Sequence, residues 1–233
     1  VPPVKLLVTC EHGGNRVPAE YAPLFRDYQA LLQSHRGYDA GALRMARDLA
    51  VHFKATLIHA TTTRLLVDLN RSPGHPRLFS EATRCLTRAR REQVITAHYR
   101  PYRSQVERFV GGRIAAGHRV THVSSHSFTP VMEGVLRNAD VGLLYDPARP
   151  GERELALRWR RSIRAQASDI RVRFNYPYTG TADGLIPHLR CLFPAERYVG
   201  IELEINQRYP LGGGRAWDRL RSVLVESLHH ALS

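Results

Sequence analysis

Apolar positions fall in short blocks, and their spacing switches between strand-like and helix-like periods along the chain. Residues 4–8 read as a buried strand that ends in a polar turn, Thr9-Cys10-Glu11-His12-Gly13-Gly14. Pro18 predicts a helix start, since a first turn needs no N–H there. Tyr21, Leu24, Phe25, Leu31 and Leu32 fit one or two short helices. After the polar turn 34–39, Ala42, Leu43, Ala46, Leu49, Ala50 and Phe53 recur at helical spacing. Residues 55–60 and 65–69 read as strands, the second leading into the polar loop 68–74. A long helix is predicted over 88–115, from the stripe Ile95, Tyr99, Tyr102, Val106, Phe109, Val110 and Ile114. Pro101 interrupts it and predicts a kink.

Strands follow at 120–124, with terminal loop 125–130, and at 141–145. Residues 152–167 are helical by composition, and Val172 with Phe174 mark a strand leading into the polar-aromatic loop 175–180. The last strand is 198–205, and Trp217, Leu220, Val223, Leu224 and Leu228 give a closing helix. Alternating strands and helices predict an α/β sheet covered on both faces. No linker or internal repeat interrupts the chain, so residues 1–233 read as a single domain.

Composition adds little to this picture. Hydrophobic content of 43% and charged content of 24% are ordinary for a globular chain. No apolar run is long enough for a membrane span. The start Val1-Pro2-Pro3-Val4-Lys5 has no signal-peptide pattern, so a cytoplasmic protein is expected. The formal charge of +13 raises the question of nucleic acid. The arginines are spread along the chain, and the clusters at 84–91 and 158–164 fall in or beside helical patterns. Solvated helix faces account for them, and nucleic acid is not the expected partner. The three cysteines contain no CxxC pair. Cys10, at a strand end, reads as a small buried apolar residue rather than a nucleophile.

Chemistry concentrates at the ends of apparent strands: His12, Asn70 with Arg71, His126, and Glu202 with Glu204. Open α/β sheets bind ligands at such ends. Two imidazoles and a carboxylate suit a catalytic zinc site with an open position, although other divalent metals accept the same donors. A nearby Glu would serve as proton carrier and an Arg would position a substrate carboxylate. Each feature has a plain structural reading too. His12 could simply bond backbone, and Asp39 could cap the helix that begins near residue 42. Glu202 and Glu204, two apart in a strand, share one face. Either one has a raised pKa, or both lie on a solvent-facing edge.

The stretches CEHGGNRVP (10–18), HRGYDAGA (35–42), RLLVDLNRS (64–72), SSHSFTP (124–130), DVGLLYDP (140–147) and IELEINQRY (201–209) resemble the N-formylglutamate amidohydrolase family, in the family's order. The nearest likeness is to its predicted-amidohydrolase branch. The family is related to zinc carboxypeptidases and to the aspartoacylase and succinylglutamate desuccinylase enzymes. The resemblance implies a three-layer αβα sandwich with a mixed, mostly parallel, zinc-carboxypeptidase-like sheet. It implies hydrolysis of a small-molecule N-acyl acidic amino acid, N-formyl-L-glutamate to L-glutamate and formate. His12 and His126 match the family's metal histidines, and Asn70 and Arg71 match a substrate-carboxylate pair. Glu204 matches the late glutamate as general base, with Glu202 as runner-up.

One departure concerns the third ligand. The carboxypeptidase relatives carry a glutamate three residues after the first histidine, where this chain has Asn15. Asp39 is expected to supply the carboxylate instead, with Asn15 and Glu11 as the other options. Tyr178 and Arg208 are candidates for closing the site over a second substrate carboxylate. His98 and Tyr102 are expected to pack rather than to act. The competing reading is a non-catalytic binding protein on a hydrolase scaffold. The oligomeric state, monomer or dimer, is open.

Overall fold

The computed structural model describes residues 4–233. In chain order the elements are β1 (Val4–Cys10), a 3-10 helix (Ala19–Tyr28), α1 (Gln29–Leu32), α2 (Ala42–Phe53) and β2 (Thr56–His59). Next come α3 (Arg88–Val94), a π-helical segment (Ile95–Tyr99), α4 (Arg100–Ala115) and β3 (Arg119–Phe128). A short hairpin follows, β4 (Val131–Met132) and β5 (Val135–Leu136), then β6 (Val141–Leu144), α5 (Pro150–Gln166) and β7 (Val172–Phe174). The chain closes with α6 (Leu185–Leu192), β8 (Tyr198–Asn206), α7 (Arg208–Gly212) and α8 (Gly214–Leu232).

The main sheet has six strands in the order β2-β1-β3-β8-β6-β7. β2, β1, β3 and β8 are parallel, β6 runs antiparallel to β8, and β7 is parallel to β6. Helices α2, α5 and α8 cover one face, through Met45, Leu49, Trp159, Ile163, Leu224 and Leu228. The segments α3, α4 and α6 cover the other, through Val94, Val106, Val110, Leu185 and Leu189. This is the expected α/β sandwich with a mixed, mostly parallel sheet. No helix among the described residues is long and apolar enough to cross a membrane.

β8 shows how the pattern positions the site. Val199, Ile201, Leu203 and Ile205 join the core under α2, α5 and α8. The strand period therefore turns Glu202 and Glu204 to the opposite face. β8 lies between β3 and β6 and is buried throughout, so these are not edge-strand carboxylates facing solvent.

Two local expectations are corrected, and a third takes a specific form. Residues 65–69 are not a strand. The segment is buried but irregular, and its backbone finds partners outside any ladder. Leu65 O accepts from Ser80 Oγ (2.5 Å) and Thr83 Oγ1 (3.1 Å), Asp68 N–H donates to Leu78 O (2.9 Å), and Arg103 donates to Leu69 O (3.1 Å). β3 does not end at 124 but runs to Phe128, because β8 continues to pair with it as far as Asn206 and Ser125 Oγ donates to Ala42 O (2.9 Å). His126 thus sits within a central strand, not in a loop. The long helix forms, and the disturbance expected of Pro101 is the π-helical segment just before it. Pro101 has no N–H for the carbonyl of Ala97.

Candidate metal centre

The turn after β1 is fixed by its neighbour strand. Ala60 N–H donates to Cys10 O, Gly13 N–H to Ala60 O and Arg16 N–H to Thr61 O. A Cβ on Gly13 would lie 2.8 Å from Ala60 O, and one on Gly14 would lie 2.8 Å from Thr61 O. The glycines are required here by backbone-to-backbone packing, rather than by approach to a ligand. The turn aims His12 inward, with Nε2 2.7 Å from Asp68 Oδ1 and Nδ1 3.4 Å from Asp39 Oδ2.

Asp39 is not the cap of α2. The N-cap is Gly41, and no side chain bonds the first turn. Asp39 N–H donates to His12 O (2.9 Å), which ties the 35–42 segment to the first turn. Its Oδ2 lies 2.9 Å from His126 Nδ1, and its Oδ1 accepts from Arg64 Nη1 at 3.2 Å. His126 projects from the same face of β3 as Ser124, and its Nε2 lies 3.0 Å from Glu11 Oε2 and 2.9 Å from Ser124 Oγ.

One donor atom from each of His12, Asp39 and His126 lies within 4.8 Å of the other two, and all three residues are buried. Tetrahedral zinc with bonds near 2.0–2.1 Å spaces its ligand atoms by roughly 3.3 Å. The distances of 2.9 and 3.4 Å from Asp39 Oδ2 to the two Nδ1 atoms are close to that spacing. Each imidazole turns its other nitrogen to a carboxylate, Asp68 for His12 and Glu11 for His126. Such outer carboxylates orient metal-binding imidazoles. The donor set fits a divalent cation.

The charges interlock. Arg64 bridges Asp39 and Asp68, reaching Asp68 Oδ2 at 2.8 Å. Burial pushes the Asp39 and Asp68 carboxyls up, but His12 and Arg64, with His126 also acting on Asp39, outweigh it and hold both below the ordinary range. Burial also opposes charge on Glu11, yet bonds and charge from His126 and Ser124 hold that carboxyl down. For His126, bonds to Asp39 and Glu11 override burial and raise the imidazole well above its usual value.

Glu204 stands opposite His126 across the β3–β8 register, and Glu202 opposite Ser124. Burial is the main cause that lifts the Glu204 carboxyl to about 8, with Asp39 and Glu202 adding to it against His126. Its Oε2 is buried without a hydrogen-bond partner. Glu202 is also raised, by burial first. Asn70 Oδ1 accepts from Leu185 N–H at 2.7 Å, at the start of α6. That bond leaves Asn70 Nδ2 3.5 Å from His126 Nε2. Arg71 donates from Nη1 to Asp183 O at 2.8 Å.

A family model for N-formylglutamate amidohydrolase matches residues 4–210. The chain belongs to the N-formylglutamate amidohydrolase family. Among solved structures, it is 30% identical to the gene product Atu2144 from Agrobacterium tumefaciens, with a TM-score of 0.84 over 98% of this chain and 90% of that one. It shares the fold of the N-formylglutamate amidohydrolase from Ralstonia eutropha JMP134, at 22% identity and a TM-score of 0.73, over 100% of this chain and 94% of that one. No curated protein matches the chain.

Within this family member the remaining candidates fall as follows. Asn15 is turned away, donating to Leu32 O (3.0 Å) and Gln33 Oε1 (3.1 Å). Glu11 faces His126 Nε2, on the far side of that ring from Asp39. Arg208 pairs with Asp140 and stacks on Tyr209, and these contacts give no support to a part in substrate binding. Cys10 is buried and burial raises its thiol, which removes it as a nucleophile. His98 packs on Tyr21. Tyr102 does more than pack, since its hydroxyl donates to Glu11 Oε1 at 2.8 Å.

Asp68 and Arg64 are not singled out by the sequence, and Tyr102 reads there only as a packing residue. Asp68 and Arg64 lie in the RLLVDLNRS block, where a strand reading hides them. Tyr102 lies on the apolar stripe of a helix.

Proposed function

We propose that the protein hydrolyses the amide bond of an N-acyl acidic amino acid, N-formyl-L-glutamate first, with zinc or another divalent cation. The observation that carries this reading is the meeting of His12, Asp39 and His126 beside the unpartnered carboxylate oxygen of Glu204. Family membership supports amide hydrolysis as the reaction. His12, Asp39 and His126 would hold the cation, while Asp68 and Glu11 keep the rings in place. When bound, the cation supplies Lewis acidity for a water and for the acyl carbonyl.

Glu204 takes a proton from the attacking water at Oε2 and passes it to the leaving amino nitrogen. Glu202 is the alternative carrier. A carboxyl lifted to about 8 is mostly protonated at neutral pH. A neighbouring cation favours its ionised form, so proton acceptance and cation binding act together. Asn70 and Arg71 bind the substrate α-carboxylate.

The test is formate release from N-formyl-L-glutamate by zinc-loaded and chelator-treated protein, with Glu204→Gln and His126→Ala beside the wild type. Turnover is expected only in zinc-loaded wild type. Undiminished turnover in Glu204→Gln, or none in zinc-loaded wild type, would overturn the reading.

A further inference from the structure

An N-acyl acidic amino acid carries two carboxylates, and Arg71 can serve only one. Arg208 is engaged by Asp140. Arg64 is engaged by Asp39 and Asp68. A different cation stands beside Tyr178. We propose that Arg137 reads the distal carboxylate of the substrate and so selects acidic N-acyl amino acids, an inference that rests on the hydrolase reading above.

Arg137 follows the β4–β5 hairpin, and its backbone N–H donates to Pro130 O at 2.8 Å. Its guanidinium lies 5.1 Å from the Tyr178 ring centre and 6.0 Å from that of Phe128. Nη1 donates to Tyr178 Oη at 3.2 Å. Aromatic faces hold a guanidinium flat and leave its edge free for a carboxylate. Among the described residues, no Asp or Glu forms an ion pair with Arg137.

Its place relative to the metal centre follows from β3. Ser124, His126 and Phe128 alternate onto one face of that strand. Arg137 therefore lies over the continuation of the His126 face. Burial comes first in lowering His35, and the charges of Arg36, Arg137 and Arg64 add to it, so Arg137 and Arg64 both act on His35. Two residues of strand cover roughly 6.7 Å. With the stacking distance, Arg137 lies on the order of 10 Å from His126. An extended glutamyl chain carries its distal carboxyl carbon roughly 6 Å from the acyl carbon. A carboxylate–guanidinium pair adds about 4 Å between carbons. A glutamyl chain is comparable in reach with this separation, and an aspartyl chain is one methylene shorter.

The test compares N-formyl-L-glutamate with N-formyl-L-glutamine, its isostere with an uncharged side chain, using zinc-supplemented wild type, Arg137→Met and Arg137→Lys. Initial rates and calorimetric binding are both measured. Wild type is expected to favour the glutamate compound. In Arg137→Met, kcat/KM for that compound should fall roughly 10- to 100-fold, mainly through KM, while the glutamine compound stays within about threefold. Arg137→Lys should recover part of the preference. Equal losses on both compounds, or no loss on either, would overturn the proposal. If wild type turns over neither compound, the hydrolase reading fails and the binding arm still decides. A preference for the glutamate compound that Arg137→Met abolishes supports Arg137 as its reader, and equal affinities refute it.

Discussion

His126 Nε2 and Glu11 Oε2 lie 3.0 Å apart in a contact sealed from solvent. With Asp39 on the opposite nitrogen, the imidazole of the metal-free protein is held charged. A cation entering at Nδ1 must displace a proton. Metal affinity is therefore predicted to fall as pH drops, because proton and cation compete for one nitrogen. Calorimetric zinc titrations at pH 7 in buffers of different ionisation enthalpy should show release of about one proton or more. A heat independent of buffer would contradict this.

Glu204 gives the opposite pH signature. Its carboxyl is lifted to about 8 in the folded, metal-free protein, above the ordinary 4.5. The folded state therefore binds the proton more tightly than the unfolded state, and stability falls as pH rises from the ordinary value towards 8. Glu204→Gln removes that penalty. Metal-free Glu204→Gln should outlast wild type at pH 8 by about 1 kcal/mol or more, which is roughly 2–4 °C in Tm. The difference should shrink towards zero near pH 5 in thermal melts.

Arg64 and His12 both bridge Asp39 and Asp68, and of the two only the guanidinium carries a permanent charge. Arg64→Met leaves two buried carboxylates short of a counter-charge. The expected cost is roughly 3–5 kcal/mol in metal-free protein, by urea denaturation. Zinc should restore part of it by adding positive charge beside Asp39.

Tyr102→Phe keeps the ring that packs under the sheet and deletes the donor to Glu11 Oε1. Outer partners of metal ligands matter by roughly 10- to 100-fold in affinity. The weakening of zinc binding should fall at the low end of that range, with a folded protein by circular dichroism.

Much of this fold was legible because its strands obey a simple rule. β8 is a continuous buried run, β1 is buried from Leu7 onward, and α2 and α8 carry one apolar stripe each. The polar end of β3 misled, since Ser125, His126 and Ser127 look like a loop. They are strand residues whose polar groups are satisfied by Ala42 O, Asp39, Glu11 and Gln207. Residues 65–69 misled in the other direction, being apolar enough for a strand but held by Ser80, Thr83 and Arg103. The convergence of His12 and His126 could be anticipated from strand-end residue types, and that of Asp39 only with the family resemblance. Arg64 and Asp68 could not, because their meaning depends on a chain reversal that periodicity does not record. The helix α6, which orients Asn70, is too short to stand out from its flanking loops.

The most direct test of the metal centre is cobalt(II) substitution followed by visible absorption. Tetrahedral cobalt bound by two imidazoles and a carboxylate absorbs visibly, and its intensity reports the ligand set. One cobalt per chain is predicted, with bands lost in both His12→Ala and His126→Ala and altered in Asp39→Asn. Bands that survive His126→Ala unchanged, or wild-type protein that takes up no stoichiometric cobalt, would contradict the account.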